Sequence, residues 1–101
     1  MKSSRKLRLT ADARADVRSI LRYTARQWGL RQRDIYRAQL YEGMDKLLRH
    51  PELGEEQDDV FPGCRTLRVE QHVLFSRVTE TEIIVSRVLH VRQDVTDKVF
   101  P

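Results

Sequence analysis

His72-Val-Leu-Phe-Ser-Arg-Val-Thr-Glu-Thr-Glu-Ile-Ile-Val-Ser-Arg-Val-Leu-His-Val-Arg-Gln-Asp94 is the stretch on which the reading of this fold turns. It reads as two strands rich in β-branched residues around a short polar turn, leaving through a charged Leu-His-x-Arg-x-Asp exit. Just upstream, Cys64 to Val69 supplies a third alternating run. With two-residue turns at Glu70-Gln71 and Glu80-Thr81, the register follows by arithmetic. Leu67 then opposes Leu74, which opposes Arg87, and Arg65 opposes Ser76, which opposes Val85. His72 lies between Val69 and Leu89. One face carries Arg65, Leu67, His72, Leu74, Ser76, Val85, Arg87 and Leu89; the other carries Arg68, Phe75, Arg77, Ile84, Val88 and His90. One face must meet the rest of the chain. The other keeps apolar area together with arginines, which is the character of a binding surface.

Outward from this hairpin, Lys6 to Thr10 alternates Leu7 and Leu9 with Arg8, the period of a short strand. Thr10 can cap a helix, with Asp12 favourable in its first turn. From Ala11 to Trp28, Ala13, Val17, Ile20, Leu21, Thr24 and Trp28 share one helical stripe, and Gly29 is a plausible stop. A second helix over about Leu30 to Arg49 puts Tyr36, Leu40, Met44 and Leu47 on one face, and Pro51 and Gly54 end it. The short connection makes the two helices an antiparallel hairpin. The order β-α-α-β-β-β predicts an α+β fold, with the antiparallel helical hairpin packed on a mainly antiparallel, twisted four-stranded sheet. Periodicity does not say whether the first strand joins centrally or at an edge.

The chain has 101 residues, the size of one domain with one modest core. A 40% hydrophobic content is that of a folded protein, and no apolar run is long enough to cross a bilayer. Met1-Lys-Ser-Ser-Arg-Lys6 is basic but is followed by an alternating segment rather than an apolar run, so no secretory signal is expected. One cysteine, Cys64, cannot form an internal disulfide, which fits a reducing cytoplasm. The net charge is +4 and unevenly spread. Basic residues crowd the first forty positions, whereas Pro51 to Gly63 carries Glu52, Glu55, Glu56, Asp58 and Asp59 and no basic residue. Such a bipolar molecule differs from a dedicated nucleic-acid binder, whose positive field is usually unbroken.

Several segments, in this order and spacing, are similar to ParE-type toxins of the RelE/ParE superfamily. They are Tyr23-Thr-Ala-Arg-Gln-Trp-Gly29, Tyr36 with Leu40, His50-Pro-Glu-Leu-Gly54, Pro62-Gly-Cys-Arg65, His72-Val-Leu-Phe-Ser-Arg-Val78 and Arg87-Val-Leu-His-Val-Arg-Gln-Asp94. The resemblance spans nearly the whole chain and implies the RelE/ParE-like version of this fold. It further implies the toxin of a bacterial type II toxin–antitoxin pair, acting on DNA gyrase and silenced by a ParD-like antitoxin that wraps over it. Direct sequence-specific nucleic-acid binding, a membrane and a cofactor are not expected. In one respect the chain departs from the family: Ser76 stands where ParE-type sequences often carry an aromatic hydroxyl residue.

The rival reading is a RelE-like, ribosome-dependent mRNA endoribonuclease. It needs groups that activate a 2′-hydroxyl, protonate the leaving oxygen and neutralise the pentavalent phosphate. Arg65 and Arg87 resemble two phosphate-handling arginines of such enzymes, and His72 and His90 could titrate near neutrality. Yet the regular register sets the two histidines on opposite faces, no lysine occurs between Lys46 and Lys98, no tyrosine follows Tyr41, and the tail ends Val99-Phe100-Pro101. The expectation is therefore a binding toxin, not an enzyme, with an inactive homologue that only binds its antitoxin as a third reading. The candidate partner-binding residues are Arg65, His72, Ser76, Arg77, Arg87, His90 and Arg92. Arg14, Arg18, Arg22 and Arg26, every fourth residue on the first helix, form either a solvated face or a docking strip for an acidic antitoxin segment. Their mutual repulsion, a few tenths of a kcal/mol per pair, could be offset by Asp16, Asp34 or the acidic loop. Trp28 and Cys64 are expected in the core. The acidic loop lacks the oxygen spacing of an EF-hand, no His/Cys cluster has zinc spacing, and no metal site is expected.

Overall fold

Thr10 and Gly29 set the limits of the helical half. The Thr10 hydroxyl accepts the Ala13 N–H at 3.0 Å, satisfying one of the orphan donors at the start of α1 (Ala11–Trp28). Gly29 ends it at φ 93°, a backbone region that glycine enters without steric cost. Its N–H bonds to the Ala25 carbonyl and its own carbonyl receives the Arg33 N–H, so one residue closes α1 and opens α2 (Leu30–Arg49). The computed structural model describes residues 5–93. Asp94 at the end of the decisive stretch, Met1 to Ser4 and the Val99-Phe100-Pro101 tail lie outside them.

The strands are β1 (Lys6–Leu9), β2 (Glu55–Glu56), β3 (Arg65–Val69), β4 (His72–Val78) and β5 (Glu82–His90), in the spatial order β1-β5-β4-β3-β2. The sheet thus has five strands, not four. The addition is two acidic residues that return beside β3 after a single 3-10 turn at Pro51–Leu53. Two charged residues have no alternation to announce a strand. What admits the pairing is Gly54, where an added Cβ would stand 2.8 Å from that of Arg65. β1 takes the opposite edge and runs parallel to β5, a pairing that needs the long crossover the helices provide.

The β3–β4 register is the one the alternation requires: Val69 opposes His72, Leu67 opposes Leu74 and Arg65 opposes Ser76. Glu70 enables the tight turn by adopting φ 53°. Between β4 and β5 the expected register holds for Val78↔Ile83 and Ser76↔Val85, and then breaks. A bulge at Ser86 sets Phe75 against Arg87, Leu74 against Val88 and His72 against His90. From that point every β5 residue stands one place from its regular position, which exchanges the two faces. Val88 joins the core under the helices and Leu89 leaves it.

The main core lies between the helical hairpin and one sheet face, with Leu40, Met44, Leu47, Leu74, Ile83 and Val85 almost wholly excluded from water. α2 comes close at Gly43, where a Cβ would lie 2.5 Å from Val69 Cγ2. The acidic stretch exposes its carboxylates, but Val60 and Phe61 fold onto the other sheet face, packing on Cys64, Phe75 and Leu89. Among the described residues, no helix is long and apolar enough to cross a membrane.

Candidate partner-binding site

The bulge decides which polar side chains meet. With His90 opposite His72, the two rings pack edge to face with centroids 5.3 Å apart. The regular register had separated them; the structure brings them together. Tyr36 of α2 completes the row. Its hydroxyl is hydrogen-bonded to His72 Nδ1 and accepts the Gln71 N–H at 3.2 Å, and its ring stands 5.4 Å from that of His72. With the Tyr36 hydroxyl as donor, His72 is the neutral tautomer that carries its proton on Nε2. Burial, and then the neighbouring His90, push His72 down to about 4, so the neutral form prevails at neutral pH. Burial likewise raises Tyr36, against the lowering effect of the Gln71 donor. His90 is exposed, and its Nδ1 accepts the Arg92 N–H at 3.1 Å.

These residues floor a groove of about 700 Å³ between the two helices and the β3–β4 turn. Its α1 wall carries Tyr23 and Trp28, which are 62% and 72% exposed. Trp28 is therefore not in the core. No α1 residue beyond Thr24 is buried, so the last turn carries the indole past the packed part of the helix. Large aromatic rings beside a concave surface are the side chains that contribute most to protein interfaces. Tyr23 could have been noticed as an aromatic lying off the apolar stripe of α1. Nothing local to Tyr36 announced its contact with His72, thirty-six residues away.

Arg14, Arg18, Arg22 and Arg26 are all exposed along α1, and Arg14 also donates to the Leu9 carbonyl at 3.2 Å. Of the carboxylates expected to offset them, Asp16 pairs with Arg87, Asp34 with Arg33 and, in the acidic loop, Glu56 with Arg65. From the α1 register, this strip runs beside the Ser19–Tyr23 side of the groove, about 100° round the helix.

The two-arginine face does not form. Arg87 falls in the row of Phe75 while Arg65 falls in that of Ser76, because the bulge lies between them. Asp16 holds Arg87 by two bonds, from Nε at 2.7 Å and from the terminal nitrogen at 2.8 Å, with the two side chains 20% and 14% exposed. Hydrogen bonding to Asp16 is also the main reason that Arg87 holds its proton more tightly. The same carboxylate accepts the Val88 N–H at 2.9 Å. Arg65 donates to the Gly54 carbonyl at 2.7 Å and to Glu56 at 3.2 Å. Ser76, expected to touch a partner, is 1% exposed and donates to the Arg65 carbonyl at 3.4 Å; burial removes it from any surface. Arg77 and Arg92 are exposed. Cys64 is buried as expected, and burial followed by Asp59 and Asp58 pushes its thiol up to about 11. Among the described residues, no group of three or more His, Cys, Asp or Glu could hold a metal ion.

Comparison with known proteins agrees with this architecture. The family model for the ParE toxin of the type II toxin–antitoxin system parDE matches residues 7–95. Toxin ParE of Escherichia coli is 38% identical over 89 residues, covering 86% of this chain and 85% of that protein. Toxin ParE1 of Caulobacter vibrioides is 34% identical over 84 residues, covering 82% and 85%. A solved chain from the chromosomal ParDE TA system of P. aeruginosa shares the fold, with a TM-score of 0.78 at 24% identity over 89% of this chain and 99% of that one. The chain is thus a member of the ParE toxin family of type II toxin–antitoxin systems.

Proposed function

We propose that this toxin acts by binding rather than by bond-making: it holds DNA gyrase in its DNA cleavage complex, and a ParD-like antitoxin keeps it inactive in the cytoplasm. The observation that carries the non-enzymatic part is the clamp on Arg87. A phosphate-handling arginine must present uncompensated donors to the charge that develops on the oxygens of the pentavalent phosphate. Arg87 instead has its charge matched by Asp16, and Arg65 is turned toward Glu56 and a backbone carbonyl. His72 has Nδ1 taken up by the Tyr36 hydroxyl and is held down to about 4, so it carries no proton to give as an acid at neutral pH. The antitoxin is assigned to the groove at Tyr23, Trp28 and His90, with Arg18, Arg22 and Arg26 beside it. An amphipathic segment with acidic flanks fits both.

The test uses the full-length toxin freed of antitoxin, added to a gyrase supercoiling and cleavage assay and, in parallel, to translating ribosomes with a defined message. Trapped, cleaved DNA with an intact message is expected. Codon-linked message cuts with untouched gyrase would overturn the reading. Activity in neither assay, together with no growth arrest on expression, would mark an inactive copy that only binds its antitoxin.

A further inference from the structure

Behind the helices, on the opposite face of the sheet, lies a second surface with a different chemistry. Arg8 of β1 and Arg77 of β4 both oppose Ile84 of β5, so two guanidinium groups flank one apolar residue across three strands. Leu7, Leu9, Ile83 and Val85 pack under the helices, which fixes this row on the other side. Ile84 is only 4% exposed although its two cross-strand neighbours are charged. The row floors a cleft of about 600 Å³, walled by Phe61 and Pro62 on one side and by Thr10 and Asp12 on the other. Ser86, the bulged residue, closes one end, and its carbonyl is fixed by the Thr10 hydroxyl at 2.8 Å. Among the described residues, the Arg77 side chain has no hydrogen bond or ion pair, and that of Arg8 gives only its Nε to Glu82, at 2.9 Å.

We propose that this cleft takes an extended acidic peptide segment, with one carboxylate held by Arg77 and Arg8 and an adjacent apolar side chain resting on Phe61 and Pro62. The charge balance selects this occupant. Two arginines face two carboxylates, Asp12 and Glu82, so the field is locally near neutral rather than broadly positive. A nucleic-acid strand presents a phosphate at each step and needs a run of uncompensated cations. A single carboxylate needs only the fork of Arg77 and the spare donors of Arg8. The apolar walls then favour a peptide over a free anion. This surface is separate from the groove at Tyr36 and stands independently of the gyrase reading.

The test is amide chemical-shift mapping on the ¹⁵N-labelled full-length protein. The probes are N-acetyl-Leu-Asp-Leu-amide, its Asn counterpart, and a short single-stranded DNA. The Asp peptide is expected to move the amides of Gly63, Arg77, Ile84 and Ser86, and to bind about 10-fold more tightly than the Asn peptide, the worth of one charge-assisted contact. Arg77→Ala should weaken binding by about the same factor, with resonances outside the cleft unchanged. Glu82→Gln, which releases Arg8, should strengthen it. The proposal is overturned by equal binding of the two peptides, by shifts that miss these amides, by unaltered binding in Arg77→Ala, or by DNA binding more tightly at the same site.

Discussion

The two halves of β5 are built differently. From Glu82 to Val85 the strand has a regular neighbour on each side, β1 in parallel and β4 antiparallel. From Ser86 onward β1 is gone, and side chains of α1 and its cap close the outer edge instead: Thr10 on the Ser86 carbonyl, Asp16 on the Val88 N–H. The first half is scaffold, held by backbone bonds that any sequence of the right alternation could make. The second half depends on specific side chains, and it is this half that places Arg87 and His90. The bulge is what permits the change, because it turns the strand just where β1 ends and α1 begins.

The sharpest way to break this contrast is to remove Asp16. Asp16→Ala leaves a partly buried Arg87 without its bidentate partner and the Val88 N–H without an acceptor. A loss of about 3 kcal/mol is expected in urea denaturation. If it costs no more than a surface substitution, the second half of β5 does not rest on α1. Next comes Trp28→Ala. The exposed indole should contribute little to folding but about 2 kcal/mol to antitoxin affinity, measured by calorimetry. An unchanged affinity would move the antitoxin away from the groove beside His90.

Acid should also act on this half. His72 is held down to about 4 from an ordinary value near 6.5. The unfolded chain therefore binds the additional proton between those two values. The contribution of neutral His72 is fully present above about pH 6.5 and fades as pH falls toward 4. The urea midpoint should drop between pH 7 and pH 5 in the wild type, and drop less in His72→Gln, which keeps an acceptor for Tyr36. Equal slopes would dissociate His72 from the acid response. The smallest effect belongs to the regular half. Arg8→Ala breaks an exposed pair with Glu82, and about 0.5 kcal/mol or less is expected in the same denaturation series.

Much of the scaffold was legible. The helix limits followed from Thr10, Gly29 and Pro51, because caps and breakers act within one turn of chain. The β3–β4 register followed from alternation and a two-residue turn. The candidate site was legible only in part. His72, His90 and the arginines of α1 were singled out, but the histidines were assigned to opposite faces, Ser76 to a surface and Trp28 to the core. Each of these errors has one kind of cause: local pattern cannot register a bulge, a helix that extends past its sheet, or a neighbour far away in the chain.

By itself, the sequence determined both helices, the four longer strands, their order and the α+β class, since periodicity, capping and turn chemistry are short-range and written in adjacent residues. Only the tertiary structure decided that β1 takes the parallel edge, that the bulge at Ser86 joins His72 to His90, and that Asp16 of α1 closes on Arg87, seventy-one residues away. Those outcomes depend on which backbone groups remain unpaired once the sheet has assembled, and their partners come from wherever the packed helices bring a side chain.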